Sequence, residues 1–237
     1  MDYIVKDIKA KNPRLGIFYQ DDELGKDGLF GWRTAAKHYG LEVVAVESYK
    51  RGSTDISSQA VSLRRAKPDC VYLTGAGATV LMLKEARKLN WSPQFIGDKN
   101  LTHSKTISIA GDAAEGLCSV SDQAQGHEEV PGMVRLKEVT HKYLPKQKPT
   151  YAYIWGWANT LILLEGLKRA GRDLTREGLV ETLERFKDVG TGGLTGPVTY
   201  GPNDRKGGGT ARVFKANIDK KAFDPVTEYR SPSVAIK

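Results

Sequence analysis

The sequence predicts an α/β protein built on a parallel sheet, and three observations carry that prediction. Short apolar runs bounded by turn residues recur roughly every 25–30 residues through the first 122 residues. Stretches of helical periodicity lie between them. That alternation is the rhythm of right-handed βαβ crossovers, which place helices on both faces of a sheet.

Taken in order, RLGIFYQ (14–20) reads as a buried strand. GKDGLFGWRTAAKHYG then places Leu29, Trp32, Ala36 and Tyr39 at helical spacing and ends on Gly40. LEVVAVE (41–47) is the second strand. Asp55 caps a helix carrying Ile56, Ala60 and Leu63, which stops ahead of Pro68. CVYLTG (70–75) is the third strand, ATVLMLKEARKLN (78–90) the third helix and QFIG (94–97) the fourth strand. A short helix around Ser104 to Ala110 leads to GLCSVSD (116–122), the fifth strand.

The second half changes character. EVPGMVRLKEVTHKYL (129–144), TYAYIWGWANTLILLEGLKRAG (150–171) and LTREGLVETLERFKD (174–188) read as helices with no strand between them. The middle one is apolar nearly all round, through Ile154, Trp155, Trp157, Leu161, Ile162, Leu163 and Leu164, and wants burial on more than one face. GGLTGPVTYGPNDRKGGGTARVFKAN follows as two β-like runs around a glycine-rich turn, a hairpin over 193–217. The expected organisation is a ligand-binding α/β lobe at 1–122, helices at 123–190 that lack a sheet to pack against, and a return hairpin and tail at 191–237 that pack on the first lobe.

Composition narrows the function. The chain has 237 residues and a net charge of +8, but its basic residues are scattered and no nucleic-acid motif is present. A solvated basic surface accounts for the excess and would attract small anions. Cys70 and Cys118 fall at or in strands and read as buried inert thiols, with a disulfide as the alternative. The four histidines show no metal-ligand spacing, and no cofactor is implied. MDYIVKDIKAKNPR has neither an apolar h-region nor a cleavage site, and ANTLILLEGL is too short to span a bilayer.

YQDDELGKDG (19–28) puts three acids and two glycines where a strand ends and a helix begins. A metal loop, a phosphate loop, a plain turn and one wall of a ligand cleft are its candidate readings. It lacks the calcium-loop spacing, no P-loop occurs anywhere, and GAGATV (75–80) has Val80 where a dinucleotide loop needs its third glycine. The acids have no identifiable base or nucleophile beside them, and they also suit a helix N-terminus electrostatically. In a doubly wound sheet, ligands bind outside the carboxyl ends of the strands. The loops there are Asp21–Gly25, Thr74–Gly77 and Asp98–Asn100, rich in glycine and small polar residues. Ordinary turn chemistry is an equally good account of those glycines.

YQDDELGKDGLFG, then ESYKRGSTDISSQAVSLRRAKPDCVYLTGAG, then LKEARKLNWSPQFIG and IAGDAAEG resemble, in order and spacing, the branched-chain amino acid type of ABC-transporter substrate-binding proteins. These are type I periplasmic binding proteins, and the match covers most of the chain. The resemblance implies two α/β lobes that close on a small solute in an interlobe cleft, ABC permease subunits as partners, a periplasmic location and no catalysis. It makes 1–122 similar to the C-terminal lobe and 123–190 similar to helices of the N-terminal lobe, whose first part has no counterpart here. It implies ligand contacts from Leu24 and Gly25 on the first loop, Gly75 and Ala76 on the second, Asp98 and Lys99 on the third, and Tyr151 at the start of the crossing helix. Leu24 stands where an aromatic is usual. Lys99 stands near where amino-acid binders carry an acid for the ligand's ammonium group, which favours an organic carboxylate over an amino acid. The alternatives are a cytoplasmic effector-binding sensor of the same fold, or a truncated fragment without function.

Overall fold

The structure is a computed structural model that describes residues 1–234. By its internal contacts the chain divides into two compact units. Unit 1 comprises Met1–Ser121, Val213–Thr227 and the described tail residues 232–234; unit 2 comprises Asp122–Arg212 and Glu228–Ser231.

Unit 1 opens with a single wide turn, Tyr3–Asp7, whose Ile4 is fully buried. Then β1 (Leu15–Gln20), α1 (Glu23–His38), β2 (Val43–Tyr49), α2 (Ser57–Ala66), β3 (Cys70–Thr74), α3 (Ala78–Lys88), β4 (Gln94–Gly97), α4 (Ser104–Ala110) and β5 (Cys118–Ser121) alternate as expected. The strands pair parallel in the order β2-β1-β3-β4-β5. Side chains alternate across the sheet. Leu15, Ile17, Cys70 and Ile96 join Trp32 and Ala36 of α1 on one face. Phe18, Val71, Leu73 and Phe95 meet Leu63 of α2 and Met82 and Leu83 of α3 on the other. Fully burying a side chain of this size contributes about 1.5–3 kcal/mol, so both faces stabilise the unit. Helix α2 begins two residues after Asp55, whose carboxylate accepts from Ser57 N at 2.9 Å.

Unit 2 holds α5 (Pro131–Tyr143), α6 (Tyr151–Ala170) and α7 (Arg176–Leu183). Pro131 occupies the first position of α5, where its missing N–H costs nothing. Thr150 and Thr175 cap α6 and α7 by accepting from Tyr153 N and Gly178 N. Gly166 lets α7 press on α6, since a Cβ there would sit 2.8 Å from Leu183 Cδ2. The fully buried cluster of the unit is small: Ala124, Met133, Leu136, Ile154, Ala158 and Leu194. The strands of this unit among the described residues are β6 (Thr199–Gly201) and β7 (Asp204–Gly207), a two-stranded antiparallel ribbon. Buried Arg212 pairs with Glu128 at 2.5 Å, and its guanidinium lies 4.5 Å from the Tyr229 ring centroid.

The chain returns to the unit 1 sheet through β8 (Arg212–Asn217) and β9 (Ala222–Pro225), completing the order β2-β1-β3-β4-β5-β8-β9. Two expectations are corrected here. The hairpin over 193–217 does not form: TYG pairs with DRKG, and RVFKAN pairs antiparallel with AFDP. The glycines at 207–209 end β7 rather than turning a long hairpin, with Gly207 at φ +72°. The segment 191–237 is also divided. Residues 191–212 stay with unit 2, because Leu194 sits in its core and Val189 bridges Val198.

Candidate functional site: the carboxyl edge of the unit 1 sheet

Register brings the strand ends of unit 1 level. Gln20 lies opposite Tyr49, Tyr19 opposite Thr74, and Leu73 opposite Gly97. The loops after β1, β3 and β4 therefore leave the sheet along one edge.

Asp98 ties two of these loops together. Its Oδ2 accepts from Thr74 Oγ1 at 3.0 Å, Gly75 N at 2.9 Å and Asn100 Nδ2 at 3.1 Å, while Oδ1 accepts from Asn100 N at 2.8 Å. Four donors use most of a carboxylate's lone pairs, so Asp98 shapes the edge rather than presenting an open charge. Beneath it, Ser119 Oγ donates to the Asp98 carbonyl at 2.6 Å and shares a 2.8 Å bond with Thr102 Oγ1. Lys99 begins the short turn Lys99–Leu101 and is exposed.

Tyr49 supports the middle loop. Its hydroxyl donates to the Ala76 carbonyl at 3.1 Å. Burial, then the negative charges of Asp98 and Asp22, push its phenol well above the usual range, so it remains a protonated donor. A Cβ on Gly75 would lie 2.3 Å from that hydroxyl, and Gly75 sits at φ +113°. Only glycine meets both conditions. Ala76 and Gly77 are exposed beyond it.

The first loop answers the question raised by its three acids. Asp22 is the N-cap of α1, accepting from Gly25 N at 3.1 Å. That bond first, then one from the Gln20 amide, lowers its pKa against a small opposing effect of desolvation. Asp21 pairs with Lys26 at 3.1 Å, and Glu23 stands in the first turn, where the helix dipole favours an acid. Gly25 is buried so close to β1 that a Cβ would lie 1.9 Å from the Gln20 carbonyl oxygen. Leu24, next to it, is 51% exposed.

Six of the seven candidate residues (Leu24, Gly25, Gly75, Ala76, Asp98 and Lys99) thus share this edge of unit 1. Tyr151 belongs to unit 2, where it opens α6 and its carbonyl accepts from Gln123 Nε2 at 3.0 Å. Sequence reasoning missed Gln20, Tyr49 and Ser119. A polar residue closing an apolar strand was the available signal for Gln20, and a serine within the short fifth strand was the one for Ser119. Tyr49 lay beyond the expected end of the second strand. A depression of about 720 Å³ in unit 1 lies away from this edge, among Arg87, Asp112, Glu115, Lys215 and Asp219.

The periplasmic binding protein family matches residues 1–222. The Leu/Ile/Val-binding protein of Escherichia coli K12 is 24% identical over 210 residues, 86% of this chain and 52% of that protein. The Leu/Ile/Val-binding protein of Citrobacter freundii is 25% identical over 65% of this chain and 40% of its own length. The chain therefore spans about half the length of the curated relatives it matches. Among solved structures, a branched-chain amino acid ABC transporter protein from Thermus thermophilus with bound valine superposes with a TM-score of 0.82, at 23% identity, over 98% of this chain and 63% of that one. A fatty acid ABC transporter substrate-binding protein from Thermomonospora curvata gives 0.80 at 23% identity, over 97% and 60%. No helix among the described residues is long and apolar enough to cross a membrane. With the family match running through both units, the chain belongs to the periplasmic binding proteins and has the type I fold of their branched-chain amino acid binders.

Proposed function

We propose that this chain is part of the solute-binding component of an ABC importer, and that the carboxyl edge of the unit 1 sheet forms one wall of its ligand site. In this reading it captures a small organic solute in the periplasm, delivers it to permease subunits, and catalyses nothing. The observation that carries the reading is the convergence of three strand-end loops on one edge, each held by dedicated contacts: Asp22 on Gly25, Tyr49 under Ala76, and Asp98 on Thr74 and Gly75. Such rigid bracing is what a ligand site requires of its frame.

The solute carries a carboxylate. Helix α3 starts at this edge after Gly77 with no side-chain cap and no acid in its first turn, an end that favours an anion. Lys99 adds a cation on the adjoining loop. The acids nearby, Asp22 and Asp98, already accept several protein donors and are poor partners for an ammonium group. Leu24 offers an exposed apolar surface for the body of the solute. Of the two solved proteins of this fold described above, one holds valine and the other is named for fatty acids, and both ligands contain a carboxylate. The test is titration calorimetry against branched amino acids, their 2-oxo analogues, and aliphatic and aromatic carboxylates, with Lys99→Glu alongside. Loss of carboxylate binding in Lys99→Glu is expected. An unchanged ligand ranking would overturn the assignment.

A further inference from the structure

We propose that Gly28 is a positioning residue for the solute site: by letting α1 lie close against Thr74, it keeps the Thr74 hydroxyl on Asp98 and so fixes the loops after β3 and β4 relative to the first. That role rests on the reading of this edge as a ligand wall, and every residue in it lies in unit 1.

Two glycines stand in YQDDELGKDG. Gly25 is required by the nearby Gln20 carbonyl. Gly28 lies within α1, where alanine is the better helix former. Its φ is not positive, so the backbone gives no reason for glycine either. Packing supplies one. A Cβ on Gly28 would lie 2.8 Å from Thr74 Cγ2, 2.9 Å from Thr74 Oγ1 and 3.2 Å from Thr74 Cβ. All three nearest atoms belong to one side chain.

Thr74 cannot yield freely. It is 2% exposed. Alternation along β3 puts it with Cys70 and Tyr72 on the face that α1 covers. Its Oγ1 donates to Asp98 Oδ2 at 3.0 Å, and a β-branched side chain is stiff about χ1. Rotating away from a methyl on Gly28 would break the bond to Asp98. Keeping that bond would push α1 outward. Both responses reach the candidate site. The same Asp98 oxygen accepts from Gly75 N at 2.9 Å, so its displacement loosens the second loop. A displaced α1 carries Leu24, one turn earlier, with it. Gly28 has no side chain with which to touch a solute, yet it governs the residues proposed to do so.

Amide exchange at Gly75, read by NMR on the full 237-residue chain, separates this role from a general contribution to stability. Gly75 N is bound to the oxygen that Thr74 holds. Gly28→Ala should speed that exchange about tenfold. It should weaken binding of 4-methyl-2-oxopentanoate, measured by calorimetry, to a similar extent. Thr74→Ser removes the 2.8 Å contact and keeps the hydroxyl, so adding it to Gly28→Ala should restore most of both properties. Gly16→Ala crowds Pro68 and Val71 near the start of β1, at 3.2 and 3.3 Å, and should leave Gly75 exchange at its wild-type rate. Unchanged Gly75 exchange in Gly28→Ala, no recovery with Thr74→Ser, or equal acceleration in Gly16→Ala would each overturn the proposal. If Gly28→Ala does not fold, the double variant decides: a folded chain supports the proposal and an unfolded one overturns it. A wild-type chain that binds no carboxylate, with Gly75 exchange responding as expected, would support the Gly28 coupling and overturn the ligand reading instead.

Discussion

Replacing Gly75 with alanine tests the frame of the candidate site. Two costs arise from one methyl group. The residue sits at φ +113°, a region that L side chains rarely adopt, and holding alanine there costs on the order of 1–3 kcal/mol. The new Cβ also lies 2.3 Å from Tyr49 Oη and 2.7 Å from Gln20 Cβ, and relieving such overpacking typically costs about 1–3 kcal/mol. Together they amount to roughly 2–6 kcal/mol, a large part of a domain's net stability. Urea unfolding followed by tryptophan fluorescence measures it, since unit 1 carries Trp32 and Trp91. The steric half can be isolated. Tyr49→Phe removes the clashing oxygen and alone costs about 1 kcal/mol for the lost bond to Ala76. In the double variant the two losses should sum to clearly less than their separate values, because deleting the Tyr49 hydroxyl makes room for the methyl. Strict additivity, or a loss under about 0.5 kcal/mol for Gly75→Ala, would refute the argument that Tyr49 dictates glycine at this position.

Asp98→Ala removes an acceptor shared by Thr74, Gly75 and Asn100, and should destabilise the chain by about 1–3 kcal/mol while weakening solute binding; unaltered binding in a folded variant would remove Asp98 from the frame. Asp2 supplies a pH dependence. Burial raises its pKa, but hydrogen bonds from Ser233 and Tyr39, together with Lys6, more than compensate and hold it at about 2, below the ordinary 3.8. A carboxyl depressed in the folded state stabilises above its unfolded pKa and loses that contribution as pH falls through its folded one. Wild-type stability should therefore drop between about pH 4 and pH 2, and Asp2→Asn should show a shallower drop in acid melts.

The legible parts of this molecule are those whose cause is local. Strands β1, β3 and β4 are buried on both faces, so each appears as a continuous apolar run, and the helices between them keep their period. Gly25, Gly75 and Asp98 were placeable from strand ends alone. Their roles were not, because each depends on a partner brought near by register: Gly25 on the Gln20 carbonyl, Gly75 on a tyrosine from β2, and Asp98 on the ends of β3. The pairing of β8 with β9 was hidden for a related reason. AFDP carries an acid and a proline, which argue against a strand, yet an edge strand tolerates both where no ladder bond is demanded of Pro225. Its turn is set instead by Asn217, whose side chain accepts from Lys220 N at 3.1 Å and donates to Asp224 at 2.8 Å. Helix α6 is the converse case. Its composition announces a need for burial on several sides; among the described residues it is fully buried at Ile154, Ala158 and Gly166 and partly covered at Tyr153, Trp157 and Leu161. A sequence can state how much apolar surface must be covered; what covers it depends on polypeptide that meets the helix in three dimensions.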